Sequence, residues 1–127
     1  PVISSAASDV YKRQIYDYSY MFYYSERPGT LAHRKYKDDI PWETKKRRRD
    51  EIVKKQNIHS FKRNELTIDE QYKILVEGVS KKSDKFLRGR TSENKMVIFP
   101  KKDNTIGKYV DVKIKECNSA TLFGEIC

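Results

Sequence analysis

The chain has 127 residues, 37% hydrophobic and 35% charged, and its 27 Lys and Arg against 18 Asp and Glu give a formal net charge of +9. That length allows one domain, or one domain with a piece of another. No apolar run approaches the ~18 residues a membrane span needs and no basic-then-apolar leader opens the chain, so a cytoplasmic location without a membrane partner is expected. The charge excess points to a polyanionic partner. It begins after residue 32: residues 1–32 are neutral, residues 33–65 carry +6 and residues 66–127 carry +3.

In chain order, residues 1–14 stand apart. Ser4-Ser5-Ala6-Ala7-Ser8 is small and polar, and Asp9-Val10-Tyr11-Lys12-Arg13-Gln14 resembles a translated sequencing-library adapter. The stretch is set aside as a scar and expected to be disordered. From Tyr16 to Tyr24 the chain alternates, with Tyr16, Tyr18, Tyr20, Phe22 and Tyr24 on one side and Asp17, Ser19, Met21 and Tyr23 on the other. Period two with aromatic residues predicts a β-strand. Ser25-Glu26-Arg27-Pro28-Gly29-Thr30 follows as a turn. Asp38 and Asp39 before Pro41, with Glu43 after it, mark a helix start, and the helix is predicted over 41–64. Its stripe through Trp42, Ile52 and Val53 also passes through Arg49, a local inconsistency unless the Arg stem packs and its head reaches water. Lys45-Lys46-Arg47-Arg48-Arg49 reads as a solvated helix face.

After Leu66 the period is two throughout. Strands are predicted at Tyr72–Gly78, Phe86–Thr91, Met96–Phe99, Val110–Ile114 and Leu122–Ile126, separated by polar turns. Five short strands in about sixty residues fit a small closed barrel of the OB type. Within it, Lys81, Lys82, Lys85, Arg88 and Arg90 flank Phe86 against one acid, Asp84, and Lys101 and Lys102 follow Phe99-Pro100. Cations that neutralise phosphates, interleaved with rings that stack on unpaired bases, are the general recipe for RNA. The eight residues Lys81, Lys82, Lys85, Phe86, Arg88, Arg90, Lys101 and Lys102 are therefore the candidate RNA contacts, with Phe86 and Phe99 also suiting a core. No Gly-rich phosphate loop, metal-spaced histidine pair or nucleophile with a base is visible, and His33 and His59 read as isolated surface histidines. Cys117 and Cys127, ten residues apart, support neither a zinc site nor a disulfide scaffold. No catalytic or metal-ligating residue is assigned.

The run Asp17-Tyr18-Ser19-Tyr20-Met21-Phe22 with Tyr24-Ser25-Glu26-Arg27-Pro28-Gly29-Thr30-Leu31-Ala32 resembles the end of the radical S-adenosylmethionine domain of the methylthiotransferases, nearest the MiaB type that modifies tRNA. Val76–Ser83, Gly89-Arg90-Thr91, Ile106–Val112 and Leu122–Ile126 resemble the C-terminal TRAM domain of that family. The resemblance implies an α+β fragment: the last strand and helix of a radical-SAM α/β barrel over residues 15–64, then a five-stranded OB-like antiparallel β-barrel (TRAM) over residues 65–127. It implies an enzyme that, at full length, adds a methylthio group to isopentenyladenosine beside the anticodon, using S-adenosylmethionine and 4Fe-4S clusters. The cluster cysteines are absent from this chain, so the piece alone is expected to be inactive. The implied partners are the tRNA anticodon stem-loop and a reductant protein, with the protein itself a monomer. Ser25 and Arg27 become candidate cofactor contacts, because reactive loops gather at the C-terminal ends of parallel barrel strands. A free-standing RNA-binding module and the relative that acts on a ribosomal protein are the competing readings. Asp69 departs from the family pattern, which often has Gly there.

Overall fold

A computed structural model describes residues 9–127, so most of the stretch set aside as a scar, residues 1–8, lies outside the described residues. Residues 9–13 are helical rather than disordered. The Tyr11 hydroxyl meets Ser19 Oγ at 2.7 Å and also reaches Gln56. Two helices follow, α1 (Leu31–Lys35) and α2 (Trp42–Glu65), then five strands: β1 (Gln71–Val79), β2 (Phe86–Arg90), β3 (Met96–Pro100), β4 (Tyr109–Cys117) and β5 (Thr121–Ile126). No helix among the described residues is long and apolar enough to cross a membrane.

The strand expected at residues 16–24 does not form among the described residues. No backbone-to-backbone hydrogen bond joins it to another described segment; a strand exists only where a neighbouring backbone completes its ladder. Its alternation is real, with one side half-buried and the other exposed. Asp17, Ser19, Met21 and Tyr23 are half-buried, while Tyr16, Tyr18, Tyr20, Phe22 and Tyr24 are exposed, Tyr20 and Phe22 at 80% and 85%.

Helix α2 begins where Pro41 presets the backbone, and the Pro41 carbonyl accepts from the Thr44 and Lys45 amides. Its buried residues are polar: Gln56, His59, Ser60 and Asn64. That overturns the surface reading of His59. The reason for a polar inner face is what it touches. Lys45 Nζ donates to the Tyr24 carbonyl (3.2 Å), Arg49 Nε to that of Met21 (3.3 Å), Gln56 Nε2 to that of Tyr16 (3.2 Å) and Ser60 Oγ to that of Asp17 (2.6 Å). Side chains of the helix thus replace a strand ladder and satisfy carbonyls that would otherwise be unpaired. Arg49 belongs on this stripe, its guanidinium lying 4.9 Å from the Tyr23 ring centroid.

The five predicted strands form within three residues of their expected bounds, β4 running on from Ile114 to Cys117, and close in the order β1-β2-β3-β5-β4. Ile74, Val76, Leu87, Val97, Phe99, Val112, Ile114 and Leu122 fill the interior. Each such side chain contributes about 1.5–3 kcal/mol by leaving water. The expected antiparallel barrel has one exception: β3 and β5 run parallel, with Met96, Val97 and Ile98 opposite Thr121, Leu122 and Phe123. Five is an odd number, so strand direction cannot alternate all the way round a closed ring. At Gly89 and Gly124 a Cβ would lie 2.5 Å from the Leu75 carbonyl oxygen and 2.4 Å from that of Lys113, which leaves glycine as the residue that lets neighbouring strands approach.

Candidate nucleic-acid interface

Alternation decides which barrel side chains face outward. With Leu87 and Gly89 inside, Phe86, Arg88 and Arg90 of β2 point out, and Met96 and Ile98 of β3 and Phe123 of β5 do the same beside them. Together with the β1–β2 loop around Lys81 and Lys82, they line a groove of about 510 Å³. Its floor is apolar, with Phe86 39% exposed, and its rim is cationic. Strands β2 and β3 with the loops β1–β2 and β4–β5 make the face on which OB-type barrels hold oligonucleotides.

The two arginines of the groove differ. Arg90 is already engaged: its Nε lies 3.5 Å from Glu77 Oε1, and one Nη donates to the Asn94 carbonyl (3.2 Å) and to its Oδ1 (3.1 Å). Arg88 Nε is buried and has no hydrogen-bond partner. An orphaned buried donor costs about 1–3 kcal/mol, more when charged, and the Arg88 guanidinium has no carboxylate within 4.0 Å among the described residues. Lys81 and Lys82 have no carboxylate within 4.0 Å among the described residues. The same holds for Lys85, Lys101 and Lys102, which stand outside the groove. Lys85 and Lys101 are neighbours there, since the Lys101 amide donates to the Lys85 carbonyl (2.9 Å).

Five of the eight expected contacts, Lys81, Lys82, Phe86, Arg88 and Arg90, therefore come together. Phe99, the other ring considered, is fully buried in the core. Phe123, Met96 and Ile98 were not anticipated. The alternation of Leu122, Gly124 and Ile126 already placed Phe123 outside, but only the parallel pairing of β3 with β5 sets it next to Ile98, in the row that runs on to Arg88.

Ser25 and Arg27 lie on an exposed turn that Gly29 permits with a φ of +86°. The Arg27 carbonyl accepts from the Thr30 hydroxyl (2.8 Å) and the Thr30 side chain caps α1 by accepting from the His33 amide (3.2 Å). The Arg27 guanidinium makes no hydrogen bond or ion pair among the described residues. Cys117 and Cys127 are both free, and burial pushes the Cys117 thiol above its ordinary value. Among the described residues no group of three His, Cys, Asp or Glu could hold a metal ion. Two separate cysteines do not supply the thiolates that an iron–sulfur cluster needs, so this chain's donors do not fit such a group.

A second polar cluster joins the barrel to the helical part. Lys95 Nζ lies 2.9 Å from Asp17 Oδ1 and 2.9 Å from Asn64 Oδ1, and Arg63 Nε donates to the same Asp17 oxygen at 3.2 Å. Asn64 Nδ2 donates to the Asn118 carbonyl at 2.9 Å. The Arg63 hydrogen bond, ahead of Lys95, holds the Asp17 carboxyl below its ordinary value.

Residues 66–127 match the TRAM domain family. Over 112 residues, 88% of its length, the chain is 59% identical to the tRNA-2-methylthio-N(6)-dimethylallyladenosine synthase of Amoebophilus asiaticus, 23% of which is covered. Proteins of the same name from Christiangramia forsetii and Karelsulcia muelleri are 52% and 50% identical, over 87% of the chain and 23% and 24% of their own lengths. The chain thus spans about a quarter of the relatives it matches, in their C-terminal region.

Proposed function

We propose that this chain, which carries a TRAM domain over residues 66–127 and is similar to part of the tRNA-2-methylthio-N(6)-dimethylallyladenosine synthases, is the tRNA-holding end of such an enzyme. The observation that carries this reading is the barrel groove: an apolar floor of Phe86 and Phe123 inside a rim of Lys81, Lys82 and Arg88. Cations there neutralise phosphates, and the ring faces accept bases that are not already stacked in a duplex.

The whole enzyme of this reading transfers a methylthio group to isopentenyladenosine beside the anticodon, in the cytoplasm. It draws electrons from a reductant protein and uses S-adenosylmethionine with iron–sulfur clusters. This chain's residues supply binding and orientation, and no chemical step is assigned to them. The unpaired segment at 16–24 serves as a strand of a larger α/β barrel in that enzyme, which accounts for its exposed aromatic face and open backbone. Arg27 follows that strand and offers a planar fork suited to carboxylate or phosphate, with Ser25 beside it as a second cofactor contact. In the full-length enzyme, Arg27→Lys keeps the charge and removes the fork; tRNA modification and cofactor cleavage at the unmutated rate would remove Arg27 from the site.

The groove is tested on the chain itself by tRNA binding across a salt series. Affinity should fall steeply with salt, each phosphate contact adding about 0.7–0.9 to the log–log slope. Binding indifferent to salt would sink the proposal.

A further inference from the structure

Side chains that can only accept hydrogen bonds are missing from the barrel groove: no Asp or Glu lines it among the described residues. Lys81, Lys82 and Arg88 bear donors alone. Asn118, at the β4–β5 turn, lines the same groove. Its amide has a donor end and an acceptor end, and the turn decides which of them is engaged. Oδ1 accepts from the Ala120 amide at 2.8 Å and from the Thr121 amide at 2.7 Å. The opposite orientation would set N–H against two backbone donors, so the hydrogen bonds fix which end is oxygen. Nδ2 is left free, with no hydrogen-bond partner among the described residues. The residue that carries it is held in place. The Asn118 carbonyl accepts from Asn64 Nδ2 at 2.9 Å, and its amide donates to the Thr121 carbonyl at 2.9 Å. On the β1–β2 loop, the Ser80 hydroxyl accepts from the Lys82 amide at 3.4 Å and keeps a proton to give.

We infer that the groove is selective for keto bases, uracil and guanine, with Asn118 Nδ2 donating to the ring carbonyl oxygen of a base held against the apolar floor. The inference rests on the groove reading and adds a base preference to it. Phosphates are common to every RNA, so Lys81 and Lys82 carry no sequence information. Base edges do. Uracil, like thymine, carries the acceptor O4 where cytosine carries an amino group, and guanine and adenine differ in the same way at O6 and N6. A fixed donor completes a hydrogen bond with the keto member of each pair and meets another donor in the amino member. Unpaired bases are the ones whose edges are open to such reading.

The test compares labelled oligouridylate and oligocytidylate of equal length, about a dozen nucleotides and so within the ~4–16 that an OB-type face covers. Binding to this chain is read by fluorescence anisotropy. The two oligomers share ring size and charge, so the ratio of their affinities isolates the base edge. Uridylate should bind about 2–10-fold more tightly, the worth of one net hydrogen bond. In Asn118→Asp the carboxylate still accepts the Ala120 and Thr121 amides, while an oxygen takes the place of Nδ2. Its added charge weakens both oligomers alike and cancels in the ratio, which should fall to one or below. Asn118→Ser keeps a side-chain oxygen for the turn, removes the amide and adds no charge, and it should bring the ratio to about one. Equal binding of the two oligomers by the unmutated chain, or tighter binding of cytidylate, would overturn the preference and leave the groove intact. So would a uridylate preference that either substitution leaves undiminished. Absence of binding to both oligomers would instead remove the groove reading, and this one with it.

Discussion

Arg88 and Arg90 stand two residues apart on one face of β2, yet their surroundings separate their roles. Arg88 keeps a buried donor without a partner, whereas Arg90 already has Glu77 and Asn94. Arg88→Ala should therefore flatten the salt slope of RNA binding by about 0.7–0.9, and Arg90→Ala by clearly less. Equal effects in the same salt titration would show that the Glu77 pairing does not matter. Asp69 makes a different point. Its φ of +68° is in the left-handed region, where a side chain costs about 1–2 kcal/mol and where Asp is among the better tolerated residues. Asp69→Gly should be neutral or slightly stabilising in urea unfolding, because relief of strain is offset by the extra chain entropy of glycine. Asp69→Val should cost about 1–3 kcal/mol.

Helix α2 and the barrel are joined through polar groups, which makes their junction sensitive to protonation. Asp17 has a carboxyl depressed below its ordinary value of 3.8 by Arg63 and Lys95. A group whose pKa is lower when folded binds fewer protons in the folded state, so its stabilising effect is complete above 3.8 and is lost as pH falls through the depressed value. The gap in stability between the unmutated chain and Asp17→Asn should accordingly shrink on acidification below that point. A gap that stays constant or widens would show that the Asp17 charge plays no part. In the barrel, Gly124→Ala would place a methyl group against the Lys113 carbonyl. Overpacking of that kind should destabilise by about 1–3 kcal/mol in thermal or urea unfolding.

Charge and chemistry separate at the level of the whole chain. The excess of basic residues suits a polyanion, and the groove gives it a place to act. The cysteine content does not support cluster chemistry. After iron–sulfur reconstitution the chain alone should form no 5′-deoxyadenosine from S-adenosylmethionine above a protein-free control. A yield above that control would mean that these residues do more than bind and orient.

The alternation of Ile74 and Val76, of Val112 and Ile114, and of Leu122 with Gly124 determined the strands and their inner faces without any tertiary information, because a residue's side of a strand is a local property with period two. The same holds for the start of α2 at Pro41 and for the cations at Lys81, Lys82 and Arg88. Partners are not local. Only the closed ring decided that β3 runs parallel to β5, which brings Phe123 to Ile98 and so to the groove. Only the docking of α2 decided that Asp17 and Ser19 face inward while Tyr20 and Phe22 face out. Alternation in 16–24 named two sides without deciding which would be covered. Helix α2 docks on the side of Asp17 and Ser19, where Lys45, Arg49, Gln56 and Ser60 donate to the backbone carbonyls of that segment.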